Sequence, residues 1–300
     1  FDETKKYVDG FSNSKIDLLK SAVQFLLISN NSNVQTHYTY YGRTKFKVLI
    51  NSIIDKITTN SRTKFVDNFF QKKITDSKFI FFPLQLDPER TTLIDAPFFT
   101  NQLELVRNTA KSLPIGYKLY VKEHSAMITR SWRSLDYYKE LQNISNVILI
   151  HPSIPPEELL KKCSLVITIN STAAFDGAFY EKPSIVFGDP MYSNLPFVHK
   201  VDNIKNLPHL IRKALEVKVD LDKLNDFVNL LEENSFEFEW MEFTSSVQRS
   251  FFVNGNLIDV PISDKMMEQF QKTNEEILSP LIDEHIKRIY QYVEYENNLS

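Results

Sequence analysis

Lys122 and His124 stand two residues apart in the segment Tyr120-Val121-Lys122-Glu123-His124. Side chains on a strand alternate between faces, so Lys122 and His124 share one face and Glu123 takes the other. A lysine and a histidine side by side can neutralise a phosphate, and a histidine can protonate a departing phosphate oxygen. The plainer reading is a solvated strand end with two incidental polar residues. Asn170-Ser171-Thr172 follows an apolar run and opens a helical pattern. Ser or Thr at such a junction caps the helix. The same junction aims free N–H groups and the positive end of the helix dipole at an anion above it. Asp176, four residues beyond Thr172, could accept hydrogen bonds from a ribose or sugar hydroxyl, or complement the dipole as a first-turn acid. Gln85, Glu89 and Arg90 sit in a polar loop after an earlier apolar run. Loops in that position often carry function, and an Arg–Glu surface pair is the alternative. His151-Pro152 offers a second basic group, read as mainly structural.

Other chemistries are excluded by what is missing. The six glycines (10, 42, 116, 177, 188 and 255) match neither G-x-G-x-x-G nor G-x-x-x-x-G-K-[ST] spacing. A glycine-fingerprint dinucleotide site and a P-loop are therefore absent, and phosphate must be held another way. His37, His199, His209 and His285 are scattered, and no H-E-x-x-H or Cys/His cluster occurs, which disfavours a protein-built zinc site. Ser171 lies in no G-x-S-x-G elbow. Thirty-five basic against 38 acidic residues leave a net charge of −3, without the basic excess of a nucleic-acid binder. Cys163 is the single cysteine in 300 residues, so there is no disulfide framework, and a reducing cytosol fits best. Apolar runs are short, such as Val147 to Ile150, whereas a membrane-spanning helix needs about 18 apolar residues or more. The first residues, Phe1-Asp2-Glu3, carry no signal-peptide pattern.

The elements that must position these residues follow from periodicity. Apolar runs at Phe79–Leu84, Leu119–Val121, Val147–Ile150, Leu165–Ile169 and Ile185–Phe187 are apolar on both faces, as strands of a parallel sheet covered on both sides are. Amphipathic segments lie between and after them, at Gln102–Ser112, Tyr137–Leu141, Pro156–Cys163, Thr172–Tyr180 and Leu207–Leu215. This alternation predicts an α/β fold with a Rossmann-like, doubly wound parallel sheet over residues 78–215. Ligands of such sheets bind at the carboxyl ends of the strands, where Gln85, Lys122, His124, His151 and Asn170-Ser171-Thr172 fall. Residues 1–77 read as a helical N-terminal segment. Residues 216–300 read as helices with a hairpin at Asn254-Gly255, and Pro280 is expected to kink or break the last helix.

Four motifs in order carry a resemblance. They are Phe82-Pro83-Leu84-Gln85 with Asp87-Pro88-Glu89-Arg90-Thr91-Thr92; Tyr120-Val121-Lys122-Glu123-His124; Asn170-Ser171-Thr172-Ala173-Ala174-Phe175-Asp176; and Glu181-Lys182-Pro183-Ser184-Ile185-Val186-Phe187-Gly188. Together, over about residues 78–212, they resemble the bacterial capsule polysaccharide biosynthesis family. Its best-understood members transfer 3-deoxy-manno-octulosonic acid from a CMP-activated donor. Two departures stand out: Ser125 where the family usually has Pro, and Asp176 where it usually has Glu.

The resemblance implies the C-terminal, donor-binding half of a GT-B-like glycosyltransferase, with a nucleotide-sugar donor as substrate and no further cofactor. It puts Lys122 and His124 on the donor phosphate as the catalytic pair. Ser171 and Thr172 would meet that phosphate at the helix start. Gln85 matches a family glutamine, and Asp176 takes the place of a family glutamate near the donor; Asn170, Glu89 and Arg90 complete the expected donor site. A glycan or glycolipid acceptor, a cytoplasmic location at the inner face of the membrane, and peripheral attachment through an assembly complex follow as expectations. The N-terminal Rossmann half, expected to hold the base, has no counterpart in the pattern of residues 1–77. Two alternatives stay open: a CDP-polyol phosphotransferase, and a non-catalytic nucleotide- or glycan-binding module of a polysaccharide assembly complex.

Overall fold

The computed structural model describes residues 15–27, 45–75, 77–252 and 262–299. They fall into two compact units, one spanning Ile54–Asn229, the other formed by residues up to Ile53 and from Leu230 onward.

The first unit is built on six strands: β1 (Phe79–Pro83), β2 (Lys118–Lys122), β3 (Val147–Ile150), β4 (Leu165–Thr168), β5 (Ser184–Val186) and β6 (Val198–Lys200). All pair in parallel, in the order β3-β2-β1-β4-β5-β6. The doubly wound parallel sheet expected from the sequence is therefore present. The order reverses between β1 and β4, and such a reversal opens a crevice at the carboxyl ends of the two strands. Beyond the five expected strands, β6 forms an edge from only three residues, two of them His199 and Lys200, too short and polar to show a strand pattern.

Alternation along β1 sorts the core into two layers. Ile80 and Phe82 enter one, with Val66 and Phe70 and helices α4 (Gln102–Ser112), α5 (Leu135–Gln142) and α8 (Leu207–Glu216). Phe79 and Phe81 enter the other, with α6 (Pro156–Lys162), α7 (Ala173–Ala178) and Leu224 of α9 (Leu221–Glu233). Each buried Phe, Leu or Ile contributes about 1.5–3 kcal/mol relative to exposure, so the two-faced burial holds the strand ends in place. Helix starts are set locally: Asn101 accepts from Glu104 N–H and Ser134 from Tyr137 N–H, both at 3.2 Å. Cys163 is buried beside Leu160, and burial pushes its thiol pKa up to about 12.

Gly188, just past β5, sits where a side chain has no room. A Cβ there would lie 3.1 Å from the Ile169 carbonyl oxygen and 3.4 Å from Asn170 Cγ. Backbone cannot yield as a flexible side chain can, so Gly188→Ala should cost about 1–3 kcal/mol by overpacking. The urea midpoint measures it; an unchanged midpoint would show that this edge of the crevice moves freely.

The second unit contains α1 (Lys15–Leu27), the start of α2 (Lys45–Phe69), α10 (Trp240–Phe251), α11 (Asp264–Thr273) and α12 (Glu275–Leu299). Phe270 of α11 is buried against Phe251 and Phe243, with ring centroids 5.0 and 6.2 Å away. Ser263 caps α11, its Oγ accepting from Met266 N–H at 3.3 Å. The break then falls at Asn274 rather than Pro280, which lies inside α12. So near the helix start, the missing N–H of a proline removes one bond without ending the helix. The expected hairpin at Asn254-Gly255 lies outside the described residues; Phe251 closes α10. Among the described residues, no helix is long and apolar enough to cross a membrane.

Candidate functional site

Lys122 is the last residue of β2, between β1 and β3, and is 6% exposed. Among the described residues its ammonium has no hydrogen-bond or ion-pair partner. Burial lowers its pKa from 10.5 to about 8, against an opposing pull from Glu123. A buried cation without a counter-ion is costly, so this amine favours any anion that reaches the sheet edge. At pH 7 it still carries its proton in most molecules.

Glu123 does not supply the counter-charge, because it is consumed on the other face, as alternation requires. Its carboxylate accepts from Arg133 Nε, from the Tyr138 hydroxyl and from His124 N–H, each at 2.8 Å. That last bond fixes the main chain at His124. The His124 residue is exposed, and its Nδ1 accepts from Ala126 N–H at 3.2 Å. A backbone N–H can only donate, so Nδ1 is unprotonated and the neutral ring carries its proton on Nε2. Desolvation lowers the His124 pKa, Lys122 and Arg130 adding to it and Glu123 and Glu89 opposing. Lys122 and a neutral Nε2–H donor thus stand within electrostatic reach of one another. This arrangement suits a phosphate better as hydrogen-bond donor than as proton donor, since an imidazolium would set Nδ1–H against Ala126 N–H.

The other expected residues divide. Gln85 is buried at the end of β1. Its Nε2 donates to Thr168 Oγ1 at 3.0 Å, bridging β1 to β4 at the strand-order reversal, and its main chain pairs with the Gln102 amide. Asn170 lies beyond the end of β4, its Oδ1 buried and without a partner among the described residues. Ser171 Oγ accepts from Ala173 N–H at 3.2 Å, and the Ser171 carbonyl accepts from the Tyr192 hydroxyl. Thr172 occupies the N-cap position of α7 without a side-chain capping bond, and α7 is only six residues long. Asp176 lines an open depression of about 330 Å³ with Pro156, Glu157, Leu160, Phe179 and Tyr180, between α6 and α7. Its pKa is raised by desolvation, while a hydrogen bond with Thr172 pulls it back. Glu89 Oε2 accepts from Thr91 at 2.8 Å. Arg90, the first residue of the short helix α3 (Arg90–Leu93), is 78% exposed and approaches Asp95 at 3.6 Å, so its carboxylate neighbour is Asp95 rather than Glu89.

Several residues of the site are not signalled by local pattern. Arg133, 8% exposed, donates to Glu123, to Asp87 Oδ2 at 3.2 Å and to the Gln85 carbonyl at 2.5 Å. Burial alone would lower its pKa; the Glu123 carboxylate reverses this and holds the guanidinium charged. Ser131 and Trp132, just before it, adopt φ values of 61° and 57°. For a bulky residue that left-handed conformation costs about 1–3 kcal/mol and must be over-determined. Here it is: Trp132 Nε1 donates to Thr63 at 2.8 Å, and Arg62 donates to the Ser131 and Trp132 carbonyls at 2.8 and 3.1 Å. Arg130 reaches the Pro88 carbonyl in the loop after β1, where the Asp87–Pro88 peptide is cis. His151, at the end of β3, is buried, with Nε2 3.1 Å from Asp67 and Nδ1 2.6 Å from Ser153 Oγ. Among the described residues, no group of three or more His, Cys, Asp or Glu side chains is placed to hold a metal ion.

A family model described as "Capsule polysaccharide biosynthesis protein" matches residues 2–197. The chain belongs to the capsule polysaccharide biosynthesis family. The match reaches back through the helical segment before residue 78, where the motif resemblance began. No curated protein matches the chain. Among solved structures, this capsule-family chain is similar to the beta Kdo 2,7 transferase of Thermosulfurimonas dismutans KpsC, at 15% identity over 61% of this chain and 66% of that one, TM-score 0.36. It is also similar to the beta Kdo 2,4 transferase of the same KpsC, at 20% identity over 48% and 45%, TM-score 0.34. A third is the UDP-GlcNAc 2-epimerase of Methanocaldococcus jannaschii, at 14% identity over 63% and 52%, TM-score 0.37. The chain spans 45% to 66% of the length of these structures.

Proposed function

We propose that this capsule-family chain carries the donor site of a glycosyltransferase, moving a sugar from a nucleotide-activated donor to a hydroxyl of a glycan or glycolipid acceptor. One observation carries the reading: Lys122, buried and unpaired among the described residues, beside a His124 ring whose Nε2–H is fixed as a donor, at the carboxyl edge of a doubly wound sheet. In the transfer, the acceptor oxygen bonds to the anomeric carbon as the bond from that carbon to the phosphate oxygen breaks. The electron pair stays on the phosphate, and the hydroxyl proton leaves to a base on the acceptor side. Lys122 and His124 stabilise the charge growing on the departing phosphate, which is preorganised electrostatic catalysis. A nucleotide phosphate leaves as a stable anion and needs no proton, which agrees with His124 donating a hydrogen bond while neutral. Asn170 Oδ1, an acceptor lacking a partner among the described residues at the end of β4, suits a hydroxyl or amino group of the donor. A CMP-linked donor is the nucleotide class we favour, from the four-motif resemblance, with synthesis at the cytoplasmic face of the membrane.

Calorimetry with CMP, CDP, UMP, UDP and GDP, on wild type and Lys122→Ala, tests this. Selective CMP binding that Lys122→Ala abolishes is the expected result. Selective UDP or GDP binding would keep the site and discard the CMP donor. No binding by any of the five would overturn the donor-site reading in favour of a non-catalytic module.

A further inference from the structure

We infer that Arg133 is a positioning residue of this site: it ties the loop after β1 to the loop after β2 and so sets where Lys122 and His124 stand. The inference builds on the donor-site reading above. The Arg133 side chain is 7% exposed and spends each face of its guanidinium fork on a different segment. Nε bonds Glu123 Oε2 at 2.8 Å, one Nη bonds Asp87 at 3.2 Å, and the other bonds the Gln85 carbonyl at 2.5 Å. Glu123 separates Lys122 from His124 in sequence, and its second oxygen holds His124 N–H at 2.8 Å. From Arg133 to the main chain that aims the imidazole is therefore two hydrogen bonds. The Tyr137 ring lies under the guanidinium, 5.1 Å from ring centroid to Cζ, and Tyr138 closes the set by donating to Glu123. Arg133 is delivered there by the left-handed Ser131-Trp132 pair, which Arg62 and Thr63 of α2 hold from the other side. A planar fork can satisfy three acceptors in three directions; a lysine ammonium keeps the charge without that geometry.

The test compares Arg133→Lys and Asp87→Asn with wild type by two readouts: the ring 15N signals of His124, assigned by their loss in His124→Ala, and the Kd for CMP. Wild type should show one fixed tautomer with Nδ1 unprotonated. Arg133→Lys should show averaged tautomers and a Kd raised about tenfold, which is about 1.4 kcal/mol. Asp87→Asn, which leaves no buried charge unpaired and keeps an acceptor for Arg133, should raise the Kd about threefold with the melting temperature unchanged, the scale of trading a charged acceptor for a neutral one. A residue that merely supported the fold would move the melting temperature and leave the His124 signals alone. Unchanged His124 signals in both variants, with Kd within twofold of wild type, would overturn the inference. If Arg133→Lys does not fold, Asp87→Asn decides by the same readouts. If wild type binds no nucleotide, the donor-site reading fails by itself, and the His124 signals still decide for or against positioning by Arg133.

Discussion

Lys122→Met should make the ligand-free protein more stable and, in the same molecule, abolish nucleotide binding. Methionine has nearly the length of lysine and no charge to desolvate. The gain comes from a group whose pKa falls from 10.5 in the unfolded chain to about 8 when folded. That difference corresponds to about 3–4 kcal/mol at most, at 1.36 kcal/mol per pK unit. Below pH 8 both states hold the proton and the folded state bears the full cost. Between pH 8 and 10.5 the folded protein gives up the proton that the unfolded chain keeps, so wild-type stability should rise with pH across that window. Denaturant titrations of both proteins from pH 7 to 10.5 isolate this part, since other groups titrate alike in each. The two curves should converge toward pH 10.5. On the binding side, removing one partner of a close charge pair costs about 2–5 kcal/mol, a loss of 30-fold or more. A less stable Lys122→Met would show that the amine has a structural partner and would remove the ground for an anion site.

The pH profile of His124 variants separates two chemistries that the residue type alone leaves open. A histidine acting as general acid must be an imidazolium, so kcat/KM would fall as pH rises through its pKa, which lies below 6.5. A neutral donor does the reverse: kcat/KM falls as pH drops through that pKa and is flat above it, until Lys122 deprotonates near pH 8. We expect the second profile, a plateau bounded by the two groups. His124→Ala should lower turnover by about 10²–10³, the cost of losing one preorganised donor. His124→Gln, whose amide can donate from nearly the same point, should recover most of it. A rate that falls through the histidine pKa, with no rescue by Gln, would restore the proton-transfer role. Turnover within twofold of wild type in His124→Ala would remove His124 from catalysis altogether.

Much of this architecture is written in local pattern. Runs such as Phe79–Leu84 and Leu165–Ile169, apolar on both faces, can be stable only between two helical layers, and there they lie. Polar residues placed just after such runs must fall on one edge, which is how Lys122, His124, Gln85 and Asn170 could be read from the chain. What could not be read depends on tertiary partners. Arg133 follows Ser131-Trp132 in no recognisable motif; its importance comes from Glu123, Asp87 and Gln85 arriving from other loops. The bond from the Gln85 amide to Thr168, 83 residues away, is likewise a contact that no spacing rule encodes. Strand β6 is not visible in the pattern because an edge of three residues, Val198-His199-Lys200, has only one apolar residue and forms no run. Pro280 does not end α12, because in the second turn it forgoes only the bond to the Glu276 carbonyl and the helix continues beyond it.

The buried sulfur of Cys163 has a practical consequence. With its thiol pushed up to about 12 and packed against Leu160, it should stay dark to maleimide and spin-label reagents near neutral pH. Because it is the sole cysteine of these 300 residues, a second one introduced at an exposed edge position such as Ser153 would be the only nucleophile the label sees. The native background is thus already that of a single-site reporter. A probe beside the Lys122 edge could then follow ligand arrival in real time without any cysteine having to be removed first.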